Sequence, residues 1–358
     1  MSPDRRSFLS ALASLGLAGC ASGGPKPTIP ALTVPSRLYE GETPLTAGLE
    51  GAIYVDVPVG GIARLDLART ASGLVAIRPS GRGAVIAIGT PSHEGATAFL
   101  TAAEGGGRRY AVRILSGGSE RLSVEGDGDP LWDRPLVGLA MSPDGSALAY
   151  VQQHQPGTKH TPLNVGRLVV REVRPGEERP DANPADNEWV RHALGQRVGW
   201  FPDSERLLFA AAGPEGRSLK PAVPPAAQPD PMICVLNRRS GSIATVTRGH
   251  SPVLSREGKS VLVARGKSYS WGLVELPSGR ARRIDPIAGL VRPVGLLASR
   301  YVIYVGASSA GAPDGYTLNN SPLVGPKRML SLKLADLQTG AFQTLLDGVD
   351  PRREVVVS

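Results

Sequence analysis

The chain is poor in the residues that most directly announce chemistry. Two of its 358 residues are cysteine and five are histidine. Cys20 and Cys234 can make at most one disulfide and cannot supply a four-cysteine zinc site. No G-x-x-x-x-G-K-[ST] phosphate loop occurs. No stretch of 18 apolar residues occurs, so no segment reads as a membrane-spanning helix. His154 and His160 stand six apart, not at the i, i+4 spacing of a helical metal pair, and read as residues of a solvated loop. Gly249-His250-Ser251-Pro252-Val253 begins like a nucleophile elbow, but the final glycine is missing and a strand-like run follows where a helix would be needed. Glu125-Gly-Asp-Gly-Asp129 offers three carboxylates to a calcium ion without the longer spaced ligand set of a dedicated site, and reads as a polar linker. Cys234, inside the apolar run Pro231–Leu236, reads as a small buried hydrophobe. These readings assign no catalytic residue, no metal ligand and no cofactor.

What is abundant is punctuation. The 44 glycines and 32 prolines make up about a fifth of the chain without any collagen-like period, which suits many short strands better than long helices. The 41% hydrophobic and 20% charged residues exclude a disordered chain.

The first residues read as an address. A charged head precedes a short apolar stretch from Phe8 to Gly19, the length of an export-signal core. Arg5-Arg6-Ser7-Phe8-Leu9 resembles the twin-arginine (Tat) export signal, with Asp4 where that signal usually has Ser or Thr. Leu17-Ala18-Gly19-Cys20 resembles a bacterial lipobox, which implies lipidation of Cys20 and removal of residues 1–19. A lipidated Cys20 leaves no intramolecular disulfide. Residues 20–46 then form a lipid-anchored, flexible Pro/Gly/Ser-rich linker. Losing Asp4, Arg5 and Arg6 lowers the net charge from +8 to +7. Export argues against nucleic acid as the partner of this basic chain, which leaves envelope proteins or anionic envelope polymers. Ala21 after Cys20 lacks the inner-membrane retention Asp, so the expected location is the periplasmic face of an outer membrane.

The body repeats one phrase. Leu136–Tyr150 runs from an apolar strand through Ser142-Pro143-Asp144-Gly145 into a second apolar strand, with proline, aspartate and glycine at the positions a type I turn favours. Arg197–Phe209 and Pro252–Val263 repeat it, and Val75–Ile86 and Val294–Tyr304 are weaker copies. The turns fall near 79, 143, 202, 256 and 298, the spacing of four-stranded propeller blades. Further strands are joined by glycine-bearing turns at Ser278-Gly279 and Thr339-Gly340. The pattern resembles the TolB-type, WD-repeat-like β-propeller family, whose blades open with S-P-D-G-x-x-[IL]-[AV]-[FY], over residues 131–358. About 24 strand-like runs from Gly51 onward imply an all-β chain of about six blades, with the run Glu354–Ser358 pairing near Ile53–Asp56 to close the ring. The alternative is a small immunoglobulin-like domain over residues 47–125, followed by a smaller propeller; through Gly95-Ala-Thr-Ala-Phe-Leu100 and Arg109-Tyr-Ala-Val-Arg113 this stretch also resembles the N-terminal β module of pilus-type secretins.

With the strands of each blade labelled A to D from the inside and the Pro-Asp-Gly turn joining A to B, each A–B turn sits at one end of the disc and each B–C connection leaves from the other. Three of these connections are long: 153–165, 213–230 and 307–327. They carry His154, Lys159, His160, Arg217, Lys220, Tyr316, Asn319, Asn320 and Lys327, a cationic and hydrogen-bonding set suited to an anionic or polyol partner. The leading expectation is a non-catalytic binding or assembly scaffold of the cell envelope. A propeller hydrolase or lyase acting on an envelope polymer, and an accessory part of a secretion or pilus machine, remain open.

Overall fold

The computed structural model describes residues 44–57, 61–78, 85–102, 109–127, 136–153, 165–173, 193–194, 197–211, 231–265, 270–284, 287, 290–307, 330–349 and 355–358. They form 24 strands and one short 3-10 turn, Leu67–Ser72. All the described residues belong to one compact unit.

The strands make six blades arranged as a ring. Blade 1 is built from both ends of the chain: β24 (Val355–Val357) lies innermost, followed outward by β1 (Ala52–Val57), β2 (Gly61–Asp66) and β3 (Val75–Arg78). Blade 2 is β4 (Val85–Ile88), β5 (Thr97–Ala102), β6 (Arg109–Ser116) and β7 (Ser119–Asp127). Blade 3 is β8 (Leu136–Met141), β9 (Ala147–Gln153), β10 (Val165–Glu172) and the two-residue β11 (Ala193–Leu194). Blade 4 is β12 (Gly199–Trp200), β13 (Arg206–Ala211), β14 (Met232–Asn237) and β15 (Ile243–Arg248). Blade 5 is β16 (His250–Leu254), β17 (Ser260–Arg265), β18 (Ser270–Glu275) and β19 (Ala281–Arg283). Blade 6 is β20 (Leu290–Leu297), β21 (Tyr301–Ala307), β22 (Leu330–Asp336) and β23 (Phe342–Val349). All neighbours within a blade are antiparallel. β11 also touches β13 through the pair Ala193↔Ala211, so blades 3 and 4 share a continuous hydrogen-bonded sheet.

Second and third strands carry runs such as Leu207-Leu-Phe-Ala-Ala211 because both of their faces are covered by neighbouring blades. The side-chain period of two then sends alternate residues into different seams. Leu207, Phe209 and Ala211 join the cluster between blades 3 and 4, while Leu208 and Ala210 join the one between blades 4 and 5. Val261 and Val263 face blade 4, and Leu262 and Ala264 face blade 6. The six hydrophobic clusters correspond one to one to the six seams. Outer strands lose this double cover: all three residues of β19 are exposed.

The expected ring closure is present. Ile53, Tyr54 and Val55 pair with Val357, Val356 and Val355. Residues 52–127 form the first two blades and share seams with blades 6 and 3, so the smaller propeller preceded by a sandwich is not the arrangement found. One repeat assignment is corrected. Val75–Ile86 is not a blade-opening hairpin, because Val75–Arg78 is the outer strand of blade 1 and pairs with β2, whereas Val85–Ile88 is the inner strand of blade 2 and pairs with β5. The other four turns do join inner to second strands.

Candidate binding faces of the disc

The turns between inner and second strands define one end of the disc. In blade 3, the Gly145 amide donates to the Ser142 carbonyl at 2.9 Å, and the Ser142 hydroxyl accepts from the Ala147 amide at 2.8 Å while donating to Asp144 at 2.6 Å. Gly145 has φ +73, the left-handed region where a Cβ is costly. Ser255 repeats this in blade 5, its hydroxyl accepting from the amides of Lys259 and Ser260 at 3.1 Å. Blade 4 has Phe201 in place of the serine, and Asp203 accepts from the amides of Glu205 and Arg206 instead, at 3.0 Å each. Blade 2 opens with a turn that sequence reasoning missed, Ser92-His93-Glu94-Gly95: the Gly95 amide donates to the Ser92 carbonyl and the Ser92 hydroxyl accepts from the Ala96 amide, both at 3.0 Å. The signal was the Ser-x-x-Gly frame without Pro-Asp inside it.

These turns hold one another. The His93 amide donates to the Pro143 carbonyl at 2.9 Å, and the Asp144 amide to the Ser204 hydroxyl at 3.2 Å. A Cβ on Gly258 would lie 2.7 Å from Pro202 Cδ, so blades 4 and 5 touch there through a glycine. The Ser260 hydroxyl donates to that of Ser299 at 2.7 Å, joining blades 5 and 6. Burial opposes ionisation of Asp144, but hydrogen bonds from Ser142, Ser146 and Ser204 outweigh it and hold its carboxyl below the usual range. Asp203 is lowered in the same way, burial being overcome by Arg206 and two amides. Both aspartates therefore act as turn formers. The exposed His93 ring is pushed below the usual histidine range, first by partial shielding and then by the Arg256 cation.

Two arginines reach across the ring axis. Arg197, just ahead of β12, donates through Nη1 to the Val294 carbonyl of blade 6 and through Nη2 to the Val355 carbonyl of blade 1, the latter at 2.8 Å. Arg256 reaches from the blade 5 turn to blade 1, where Nη1 lies 4.0 Å from Glu50 and 3.3 Å from the position a Cβ on Gly51 would take. The lead-in Pro44–Glu50 lies at this turn end. The Leu45 amide donates to Gln343 Oε1 on β23 at 2.9 Å, Thr46 and Leu49 are buried, and the chain arrives beside Ser358 at the inner strand of blade 1. The lead-in thus travels from the outer strand of blade 6 inward to the axis.

The opposite end carries the connections between second and third strands. Parallel bridges Thr90↔Ala140 and Ser255↔Leu296 show that inner strands of neighbouring blades run in the same direction. Gln153 and Val165, Ala211 and Met232, and Ala307 and Leu330 therefore share the end away from the turns. The residues expected to line a binding face there, His154, Lys159, His160, Arg217, Lys220, Tyr316, Asn319, Asn320 and Lys327, lie outside the described residues, as do Arg5, Arg6 and Cys20.

Other candidates resolve simply. Cys234 is buried, its thiol pushed up by burial against a weak contact to Thr245. His250 is the first residue of strand β16. Glu125 and Asp127 belong to strand β7, not to a linker, and both lie near Arg109, at 3.5 and 3.6 Å. Among the described residues no group of three or more His, Cys, Asp or Glu could hold a metal ion.

No protein-family model matches the sequence, and no curated protein matches it. Solved structures resemble the fold. TolB from Acinetobacter baumannii aligns with TM-score 0.54 at 12% identity over 86% of this chain, which covers 66% of that one, just under two thirds of its length. A chain of a nidogen/laminin complex aligns with TM-score 0.52 at 12% identity, covering 86% of this chain and 98% of that one. A puromycin-hydrolyzing peptidase from Mycobacterium tuberculosis aligns with TM-score 0.51 at 15% identity, covering 85% of this chain and 45% of that one. At these identities the likeness is one of fold, and the fold is a six-bladed, TolB-like propeller.

Proposed function

We propose that this chain is an exported envelope lipoprotein, anchored through Cys20, whose propeller is a non-catalytic binding scaffold. Its working surface is the end of the disc bearing the B–C connections. The observation that carries this reading is the topology: three of the six B–C connections are long, those after Gln153, Ala211 and Ala307, and all start from strand ends on one side of the ring, while one other long connection, 173–192 between β10 and β11, leaves from the turn end. The other three, after Val57, Ala102 and Arg265, return within a few residues. Insertions gathered on one face of a repeat fold mark its contact side. Of the compared structures, one was solved as part of a nidogen/laminin complex, which supports protein recognition as a use of such a fold.

The test is a pull-down from solubilised envelope with the 308–327 segment cut to a short turn. β21 and β22 pair over seven residue positions, from Tyr301↔Asp336 to Ala307↔Leu330, so the variant should melt like the parent and lose partner capture. Unchanged capture refutes the binding face, and loss of folding shows that the segment is part of the core. Cys20→Ser tests the anchor separately: it should release the protein from membranes or leave it unprocessed.

A further inference from the structure

The edge of blade 5 has a charge pattern that no other described edge shares. Between residues 250 and 290 there are seven Lys and Arg against three Asp and Glu, so one blade carries +4 of the chain's +8. Arg280, Arg282 and Arg283 cluster on and beside the outermost strand β19, all exposed. Among the described residues no ion pair joins them to a carboxylate. The other edges differ. On β3, Arg78 is buried against Glu120. On β7 the charges of Glu120, Arg121, Glu125 and Asp127 are mixed. β15 ends in a single arginine.

A second observation lies on the adjacent blade. The first described residues lie against the outer strand of blade 6, where the Leu45 amide donates to Gln343 Oε1. Beside Gln343, Phe342 is 59% exposed, the most exposed large hydrophobic side chain described. Cys20 stands 24 positions upstream of Pro44, a length that reaches roughly 80 Å at full extension. A lipid at Cys20 would keep the rim of blades 5 and 6 within reach of the bilayer it occupies.

We propose that the rim formed by Arg280, Arg282, Arg283 and Phe342 is a membrane-docking edge that takes the headgroups of anionic phospholipids. The inference rests on the lipoprotein reading for its biological setting, not for its chemistry. Arginines attract anionic headgroups, and an exposed aromatic ring on the outer strand of the next blade, with the Lys333 ammonium 5.4 Å from its centroid, suits the bilayer interface. A single acyl chain gives only marginal attachment, and a basic patch is one of the second signals that stabilise it. An edge-on contact also leaves both ends of the disc open, so the B–C face stays available to a partner.

The test uses the full-length Cys20→Ser chain, which carries no lipid, so it does not depend on whether Cys20 is acylated. Cosedimentation is measured with vesicles of phosphatidylcholine alone and mixed with phosphatidylglycerol. Binding should require phosphatidylglycerol and weaken as salt rises. Arg280→Gln/Arg282→Gln/Arg283→Gln should lower the affinity about fivefold per arginine, roughly a hundredfold in all. Arg64→Gln/Arg109→Gln/Arg239→Gln, which removes the same charge from exposed positions on blades 1, 2 and 4, should lower it far less. Equal losses in the two triple variants would mean net charge alone is at work, and the proposal fails. No binding to mixed vesicles, or equal binding to neutral ones, overturns it as well. Displacement from vesicles by a soluble acidic polysaccharide, at polymer charge well below the accessible lipid charge, would assign the edge to polymers instead of a membrane. Both triple variants should keep the parent's melting temperature; a loss specific to the blade 5 variant would reassign these arginines to protection of an open strand edge.

Discussion

Arg197→Met isolates what holds the closing strand. The substitution keeps an unbranched stem but removes both donors. β24 is three residues long and meets β1 in three pairs, so its hold on the ring is slight without further contacts. Arg197 supplies one of them at Val355, while also bonding Val294 on the neighbouring inner strand. A hydrogen bond to a charged group contributes about 1.5–3 kcal/mol, so two give about 3–6 kcal/mol before the cost of desolvating the guanidinium. Arg197 is half-buried, which returns part of that sum, and about 2–4 kcal/mol is expected. Chemical denaturation should show this as a lower midpoint at unchanged slope. Hydrogen exchange should speed up at the amides of Val355–Val357 more than at Val261–Ala264, in the middle of blade 5. A loss under about 0.5 kcal/mol, or exchange that rises evenly around the ring, would refute the idea that Arg197 clamps the closure.

Three further outcomes are expected. Phe209→Ala, at a fully buried side chain between blades 3 and 4, should cost about 3–5 kcal/mol in denaturant melts. Acid should destabilise the fold through Asp144, Asp203 and Asp336, all held below the usual carboxylate range, the last chiefly by Arg300. A depressed folded-state pKa gives stability that is present above the unfolded value near 4 and is lost as pH falls through the lower folded value; Arg300→Gln should flatten the Asp336 share of that decline, and an unchanged pH profile would remove the pair from the account. Cys234 should resist thiol reagents at mild alkaline pH until the protein unfolds, since burial both hides and raises it; rapid labelling of native protein would contradict the packing of β14.

The blades were legible where chemistry is local. Ser142-Pro143-Asp144-Gly145 writes its turn in four adjacent residues, and the apolar runs on either side write strands covered on both faces. The copy at Val75–Ile86 misled because strand-turn-strand looks alike whether the second strand pairs with the first or opens the next blade. Only pairing distinguishes them, and β3 and β4 pair elsewhere. The turn at Ser92–Gly95 was hidden because His93-Glu94 replaces Pro-Asp, although the serine and glycine keep the hydrogen bonds. Arg197 and Arg256 gave no signal at all. Their roles depend on carbonyls and a glycine that are near neighbours only once the ring exists, with Val355 lying 158 positions from Arg197.

Blade 1 also sets a schedule. Ser358 bonds Ala52 across 306 positions, and β1 has no inner neighbour until Val355–Val357 exist. At about 5–20 residues per second, a ribosome needs roughly 15–60 s to travel that distance. Throughout that interval Ile53 and Val55, which end in the blade 6 seam, and Tyr54, which ends in the blade 2 seam, have only part of their final cover. Of the six blades, the one whose strands are begun first is thus the last to be completed, and a nascent chain presents an open strand edge to any chaperone or neighbour that meets it before Val355–Val357 emerge.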